Sequence, residues 1–302
     1  MPLKKITDVL KTGKILVSDG GWGTFLFQKG LKGGECPELW CLTHFEDVKN
    51  IAKSYIEAGA DMVQTNSFGG TCLKLEYFGL GKKAFEINEA AARASRDAAG
   101  ADKWVTASCG PSGKMLVTEE VTESELYSAF KEQAAAFEKG GADAVCIETM
   151  SDIEEAVTAI KAAKENTSLE VMCTFYFNKT IRGDYRTMMG VSPAAAAAAC
   201  IDAGADIIGT NCGNSIEQMI DIVKEIREAA PSAFILVNAN AGLPVNVNGK
   251  DVFPDTPLDM AKQIPPLIKA GANIIGGCCG TTPEHIRAIK EAVSLYNVSS
   301  AE

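Results

Sequence analysis

Four stretches of the chain share one pattern: EAGADMV (57–63), KGGADAV (139–145), DAGADII (202–208) and KAGANII (269–275). Each reads as the end of a helix, a glycine able to take the left-handed cap, and the start of an apolar strand. The central glycines are Gly59, Gly141, Gly204 and Gly271. Working outward, eight apolar runs each end in polar or glycine residues: KILVSDG, DMVQTNS, WVTASCG, AVCIETM, EVMCTFYF, DIIGTNCG, FILVNAN and NIIGGCCG. Amphipathic helical patterns separate them, for example DVKNIAKSYIEAGA and SIEQMIDIVKEIREAA. The four joints precede runs two, four, six and eight. Strand alternating with helix implies a parallel sheet, and eight units predict an α/β fold that is a single (β/α)8 TIM barrel over 1–302. A short helix is expected within 1–12, across the barrel bottom, and a flexible tail over 296–302. The alanine run at 194–199 continues into CIDAGAD and reads as helix. The first loop, residues 20–46, is long enough to expect a functional role.

The bulk properties narrow the function. The 302 residues are 46% apolar and 23% charged, with a net charge of −10, as in ordinary globular domains. No basic face is visible for a phosphate backbone or an anionic lipid surface, so nucleic-acid and membrane partners are not expected. No apolar run follows MPLKK and no long apolar segment occurs, so neither a signal peptide nor a membrane span is expected. Ten scattered cysteines fit a reducing, cytoplasmic setting. Most lie in apolar runs, as Cys146 and Cys173 do, and read as core. Oligomeric state is not legible.

Barrel enzymes work at the C-terminal ends of their strands. The run ends would bring Asp19, Asn66, Cys109, Glu148, Cys212, Asn238 or Asn240, Cys278 and Cys279 to one mouth. Cys212 closes run six and the Cys278–Cys279 pair closes run eight. Three thiolates suit one zinc ion per chain and leave its fourth position open, the mark of a catalytic site. Adjacent strand residues point to opposite faces, so both cysteines of the pair reach one ion only if the backbone leaves the pleat. Gly276, Gly277 and Gly280 permit that. A pair of buried thiols or a vicinal disulfide are the other readings of the same residues. A free alkyl thiol is only a few per cent ionised at neutral pH, and zinc would raise that fraction roughly 30-fold. With three anionic ligands the ion withdraws less density from a bound sulfur, which suits a nucleophile better than an activated water.

DGGWGTFLFQKG (19–30), TNSFGG (65–70), IETMSD (147–152), TNCGN (210–214), NAGLP (240–244) and GGCCGTTPEHI (276–286) resemble the homocysteine S-methyltransferase family, in order and over the whole chain. The resemblance is closest to the homocysteine-binding module of cobalamin-dependent methionine synthase. It implies a zinc barrel that methylates homocysteine to methionine, with Cys212, Cys278 and Cys279 as metal ligands. It implies that Glu148 and Asp19 bind the substrate, Glu148 through the α-amine, with Gly20, Gly21, Asn66 and Cys109 nearby. A helix-capping or loop-ordering role is the alternative for Glu148, and core filler the alternative for Cys109. The two histidines, His44 and His285, are not in the D-x-H-x-x-G pattern that ligates cobalt. A methylcorrinoid donor would therefore arrive on a separate protein. S-methylmethionine, betaine and methyltetrahydrofolate are the alternative donors, and a non-catalytic zinc/thiol-binding subunit is the alternative to an enzyme. Trp22 departs from the family's DGAMGT pattern, either reshaping the donor side of the pocket or packing the first loop.

Overall fold

The computed structural model describes residues 3–247 and 250–299. All eight apolar runs form strands: β1 Leu16–Val17, β2 Met62–Val63, β3 Trp104–Cys109, β4 Ala144–Met150, β5 Glu170–Phe175, β6 Ile207–Asn211, β7 Phe234–Ala239 and β8 Ile274–Gly277. They form one parallel sheet in the order β1-β8-β7-β6-β5-β4-β3-β2. The alanine run lies in the helix Pro193–Asp202, capped by Ser192.

The repeated joint has a physical reason. Its glycines take φ of +105°, +92°, +94° and +121°, turning each helix into the next strand. The polar residue that follows then clamps the preceding odd-numbered strand twice. Asp61, Asp143, Asp206 and Asn273 donate backbone N–H groups to the carbonyls of Val17, Val105, Val171 and Ile235. Their side-chain oxygens accept the N–H of the same four residues, at 2.7–2.9 Å. A cation seats each clamp: Lys290, Arg96, Lys164 and Arg227 respectively. At the β1–β2 seam the strands are too short for a ladder, so carboxylates do the stitching. Asp61 clamps Val17, and the Asp19 carboxylate accepts the Gln64 N–H at 2.7 Å.

The pleat sorts the interior by height. At the base, Leu16, Met62, Trp104, Cys146, Ile207 and Leu236 point inward and pack on Ile6 and Leu10 of the helix Ile6–Leu10. Glu170, at the foot of β5, accepts the N–H groups of Ile6 and Thr7 at 2.6 and 3.1 Å, supplying the cap that helix lacks. Two or four residues further along the same strands the inward positions become Ser18, Gln64, Ser108, Glu148, Asn211 and Asn238. Outward residues such as Val105, Ile147 and Ile235 pack under the helices. The last helix, Pro283–Ser299, covers the first four residues of the tail expected from 296. There Asn297 bonds both the N–H and C=O of Ile15, at 3.3 Å each, and Tyr296 packs on the core. Residues 300–302, and 1–2 of the expected N-terminal segment, lie outside the described residues. Among the described residues no helix is long and apolar enough to cross a membrane.

Candidate active site

At the mouth lies a cavity of about 330 Å³, lined on one side by Cys212, Cys278 and Cys279 and on the other by Gln64, Ser108 and Glu148. The three sulfurs lie within 4.8 Å of one another, with Cys212 and Cys279 4.0 Å apart. A tetrahedral ion with Zn–S bonds of about 2.3 Å requires sulfurs roughly 3.8 Å apart. The donor set, three thiols with no competing imidazole, therefore fits zinc. It is the one such group of potential metal ligands among the described residues.

Two of the three sulfurs, those of Cys212 and Cys279, reach this point by a break in the pleat. On a continued β6 the side chain of Cys212 would follow Ile208 and Thr210 outward. Instead Cys212 takes φ +61°, uncommon for a non-glycine residue, and swings inward while its N–H still bonds the Asn238 carbonyl at 2.9 Å. Gly213 follows at φ +71° and must be glycine, because a Cβ there would also collide with the Tyr176 ring. In β8 the strand stops at Gly277. A turn closed by Thr281 N–H to Cys278 C=O, at 3.1 Å, brings Cys279 round to join Cys278. The turn is fixed from both sides. Cys278 N–H donates to Ala239 C=O at 2.7 Å and Ala241 N–H to Cys279 C=O at 3.0 Å. Gly21 must lack a side chain, since its Cβ would lie 2.6 Å from the Cys278 carbonyl oxygen.

Crowding separates the three thiols electrostatically. Hydrogen bonds from Cys212 and Cys278 hold Cys279 down to about 3. Its bonds with Cys212 and Cys279, with burial, hold Cys278 well above the ordinary thiol range. Cys212, drawn down by Cys278 but up by its bond to Cys279 and by burial, lies at about 11. Three thiols packed this closely form a place where a soft cation would neutralise the charge that ionising them creates.

The opposite wall is built on Glu148. Burial pushes its carboxyl up to about 7, against the hydrogen bonds of Ser108 and Gln64 that draw it down. Its Oε1 accepts from Ser108 Oγ and, at 3.0 Å, Gln64 Nε2; its Oε2 accepts from Asn211 Nδ2 at 3.2 Å. The only ionisable side chains besides the thiols among the lining residues are Glu38 and Glu148, both acids. No cation meets Glu148 from the lining, so a cationic ligand group would find an unpaired partner there. Asn238 lines the cavity, and its buried Oδ1 has no hydrogen-bond partner.

The other expected residues divide. Gly20, Gly21 and Asn66 line the cavity, the Asn66 amide tied to the Pro37 carbonyl at 2.7 Å. Asp19 lies beneath the lining, fully buried, its carboxylate already taken by Gln64 N–H and by the Trp22 indole N–H at 2.8 Å. Burial raises it to about 6. The Trp22 indole is thus tied to Asp19 by its N–H while the ring lines the cavity. Cys109 is not brought to the site: it takes an outward position on β3, and its thiol donates to Gln133 Oε1 at 3.2 Å beneath the helices. The inward neighbour is Ser108. Gln64, Ser108 and Asn211 are the residues that reading the run ends alone overlooks. Counting alternate positions down from Glu148 and across the register, which pairs Ser108 with Cys146, finds Ser108. His44 stacks on Trp40 at 4.2 Å. His285 ties the Thr282 N–H to the Asp255 carbonyl, a capping role.

Residues 16–293 match the family model of homocysteine S-methyltransferase. The methionine synthases of Mycobacterium leprae and Mycobacterium tuberculosis are each 29% identical over 96% of this chain but 25% of their own length. The chain thus spans about a quarter of those relatives. Among solved structures, the metallated homocysteine methyltransferase MmuM of Escherichia coli superposes with a TM-score of 0.76 at 21% identity, covering 94% of this chain and 98% of that one. A methyltransferase from Methanosarcina mazei superposes at 0.60 with 12% identity, covering 94% of each chain. At these identities the structural likeness carries the fold. The family match carries more: the chain belongs to the homocysteine S-methyltransferase family.

Proposed function

We propose that this member of the family transfers a methyl group to the sulfur of homocysteine, forming methionine, and that Cys212, Cys278 and Cys279 hold one Zn2+ for the purpose. The observation that carries the reading is one cavity with three convergent sulfurs on one wall and an unpaired buried carboxylate, Glu148, on the other. Zinc bound there would supply the acidity that keeps a substrate thiol ionised near neutral pH. The chain's own residues do the rest. Glu148 receives the α-ammonium, and Ser108, Gln64 and Asn211 aim it. Gly20 and Gly21 let the first loop close against Tyr55, Thr281 and the Cys278 carbonyl, which keeps the sulfur-bearing turn in place. The thiol proton passes to solvent, the S–CH3 bond forms, and the bond between the methyl and its donor breaks.

For the donor we propose a methylcorrinoid carried by a separate protein, supported by the likeness to a quarter of the methionine synthases. A small-molecule donor such as S-methylmethionine, betaine or methyltetrahydrofolate is the second reading. Asp19 and Cys109 act through the structure, as seam and core. Cytoplasmic location is part of the same proposal. The test is methionine formation with methylcobalamin and with each small donor, with and without homocysteine, alongside zinc content. Turnover that needs both homocysteine and zinc is expected; full activity in metal-free protein would sink the reading. Homocysteine binding without any turnover would leave the chain as a zinc/thiol-binding subunit.

A further inference from the structure

The two walls of the cavity are joined by one side chain. Asn211 is the last residue of β6, immediately before the ligand Cys212, and is almost wholly buried. Its Nδ2 donates to Glu148 Oε2 at 3.2 Å and to Thr149 Oγ1 at 2.8 Å. Its Oδ1 accepts from Thr149 N–H at 2.9 Å and Thr174 Oγ1 at 2.8 Å. One amide thus uses both its donors and both its lone pairs across β4, β5 and β6.

The backbone it grips is irregular. The register of β4 on β5 slips between Ile147 and Met150, so β4 carries one more residue than its partner there. The extra residue leaves Thr149 N–H without a ladder partner, and bulges of this kind re-aim a side chain beside an active site. Thr149 sits at φ +61°, an outlier for a β-branched residue. Cys212, on the other side of Asn211, takes the same φ. Of these two strained residues, Thr149, which follows Glu148, is gripped by the Asn211 side chain, and Cys212, which presents a sulfur, is joined to Asn211 by the chain.

We propose that Asn211 is a positioning residue that fixes the span and direction from the Glu148 carboxylate to the sulfur cluster, and so selects a thiol whose amine lies at the spacing found in homocysteine. The inference rests on the reading of Glu148 as the ammonium's partner. It makes no contact with substrate itself; it acts through Glu148 and Cys212.

The test is calorimetric binding of homocysteine, cysteine and 1-butanethiol to the zinc-loaded protein. The butanethiol has the sulfur without the amine. Asn211→Ala is expected to weaken homocysteine roughly ten- to hundredfold, the range for losing a bond to a charged group. Butanethiol should change less than about threefold, and the preference for homocysteine over cysteine should shrink. Asn211→Asp keeps the acceptor for Thr149 and Thr174 but turns an acceptor towards Glu148, so it should show the same selectivity loss with the bulge intact. It carries the comparison if the alanine variant does not fold. In a Glu148→Gln background the effect of Asn211→Ala should collapse, because both act on one contact. Equal weakening of homocysteine and butanethiol, or full additivity with Glu148→Gln, overturns the positioning role. Wild-type protein that binds no thiol overturns the functional reading as well, whereas discrimination kept equally by wild type and Asn211→Ala overturns this inference alone.

Discussion

The two ends of the barrel interior are built from the same strands and obey opposite rules. At the base Leu16, Met62, Cys146, Ile207 and Leu236 fill the centre, and even the capping carboxylate of Glu170 has its donors. At the mouth, a few residues on, the inward positions are Ser18, Gln64, Glu148, Asn211 and Asn238. There Asn238 Oδ1 is unpaired, two non-glycine residues have positive φ, and three thiols crowd together. The base holds the fold together; the mouth holds groups in arrangements that only a ligand completes. If that division is right, a change at one end should leave the other end's property alone.

The largest effect expected is at the sulfurs. Cys212→Ser or Cys278→Ala should lose zinc and lower methionine formation at least about a thousandfold, equivalent to roughly 4 kcal/mol of barrier. The unfolding midpoint of the metal-free protein should barely move, and a collapse of that midpoint would erase the distinction between the ends. Next comes the base. Met62→Ala, at a fully packed position, should cost about 3 kcal/mol of stability, within the range for such truncations. Zinc content and the KM for homocysteine should stay unchanged. Glu148→Gln comes third. It should raise the KM for homocysteine tens- to a hundredfold, with kcat falling much less, because the lost contact is to the non-reacting end of the substrate. A kcat-only effect would place Glu148 at the reacting atoms instead.

The same contrast explains what the sequence can reveal. The base and the barrel follow period-two alternation and a recurring glycine joint, which local sequence carries in full; Asp61, Asp143, Asp206 and Asn273 even occupy identical places in their repeats. The three cysteines are legible by residue type and by their position at strand ends. What escapes is where the alternation fails. Cys212 would point outward on an ideal strand, as one of the adjacent Cys278 and Cys279 must, yet only that pair advertises its turn with glycines on both sides. The bulge at Glu148–Thr149 has no sequence marker, so Asn211 looks like one more polar strand end. Cys109 errs the other way: a thiol near a strand end that alternation places under the helices, with Ser108 facing inward in its stead.

The smallest effect separates the ends by pH. Burial raises the Glu148 carboxyl to about 7 from 4.5, so the folded protein holds that proton more tightly than the unfolded chain does. A raised pKa contributes stability that is fully present below the unfolded value and is lost as pH rises through the folded one. Between pH 5.5 and 8 the folded protein should therefore lose at most about 2 kcal/mol through this group. Glu148→Gln removes the titration, so its stability relative to wild type should improve across that interval, measured by denaturant unfolding at constant metal content. Saturating homocysteine should reverse the trend in wild type, because its ammonium holds Glu148 ionised. Met62→Ala, although far more destabilising, should show the wild-type pH slope unchanged. A flat difference between wild type and Glu148→Gln from pH 5.5 to 8 would mean that the mouth carboxylate already has a cationic partner, and the contrast between a satisfied base and an unsatisfied mouth would fail where it is sharpest.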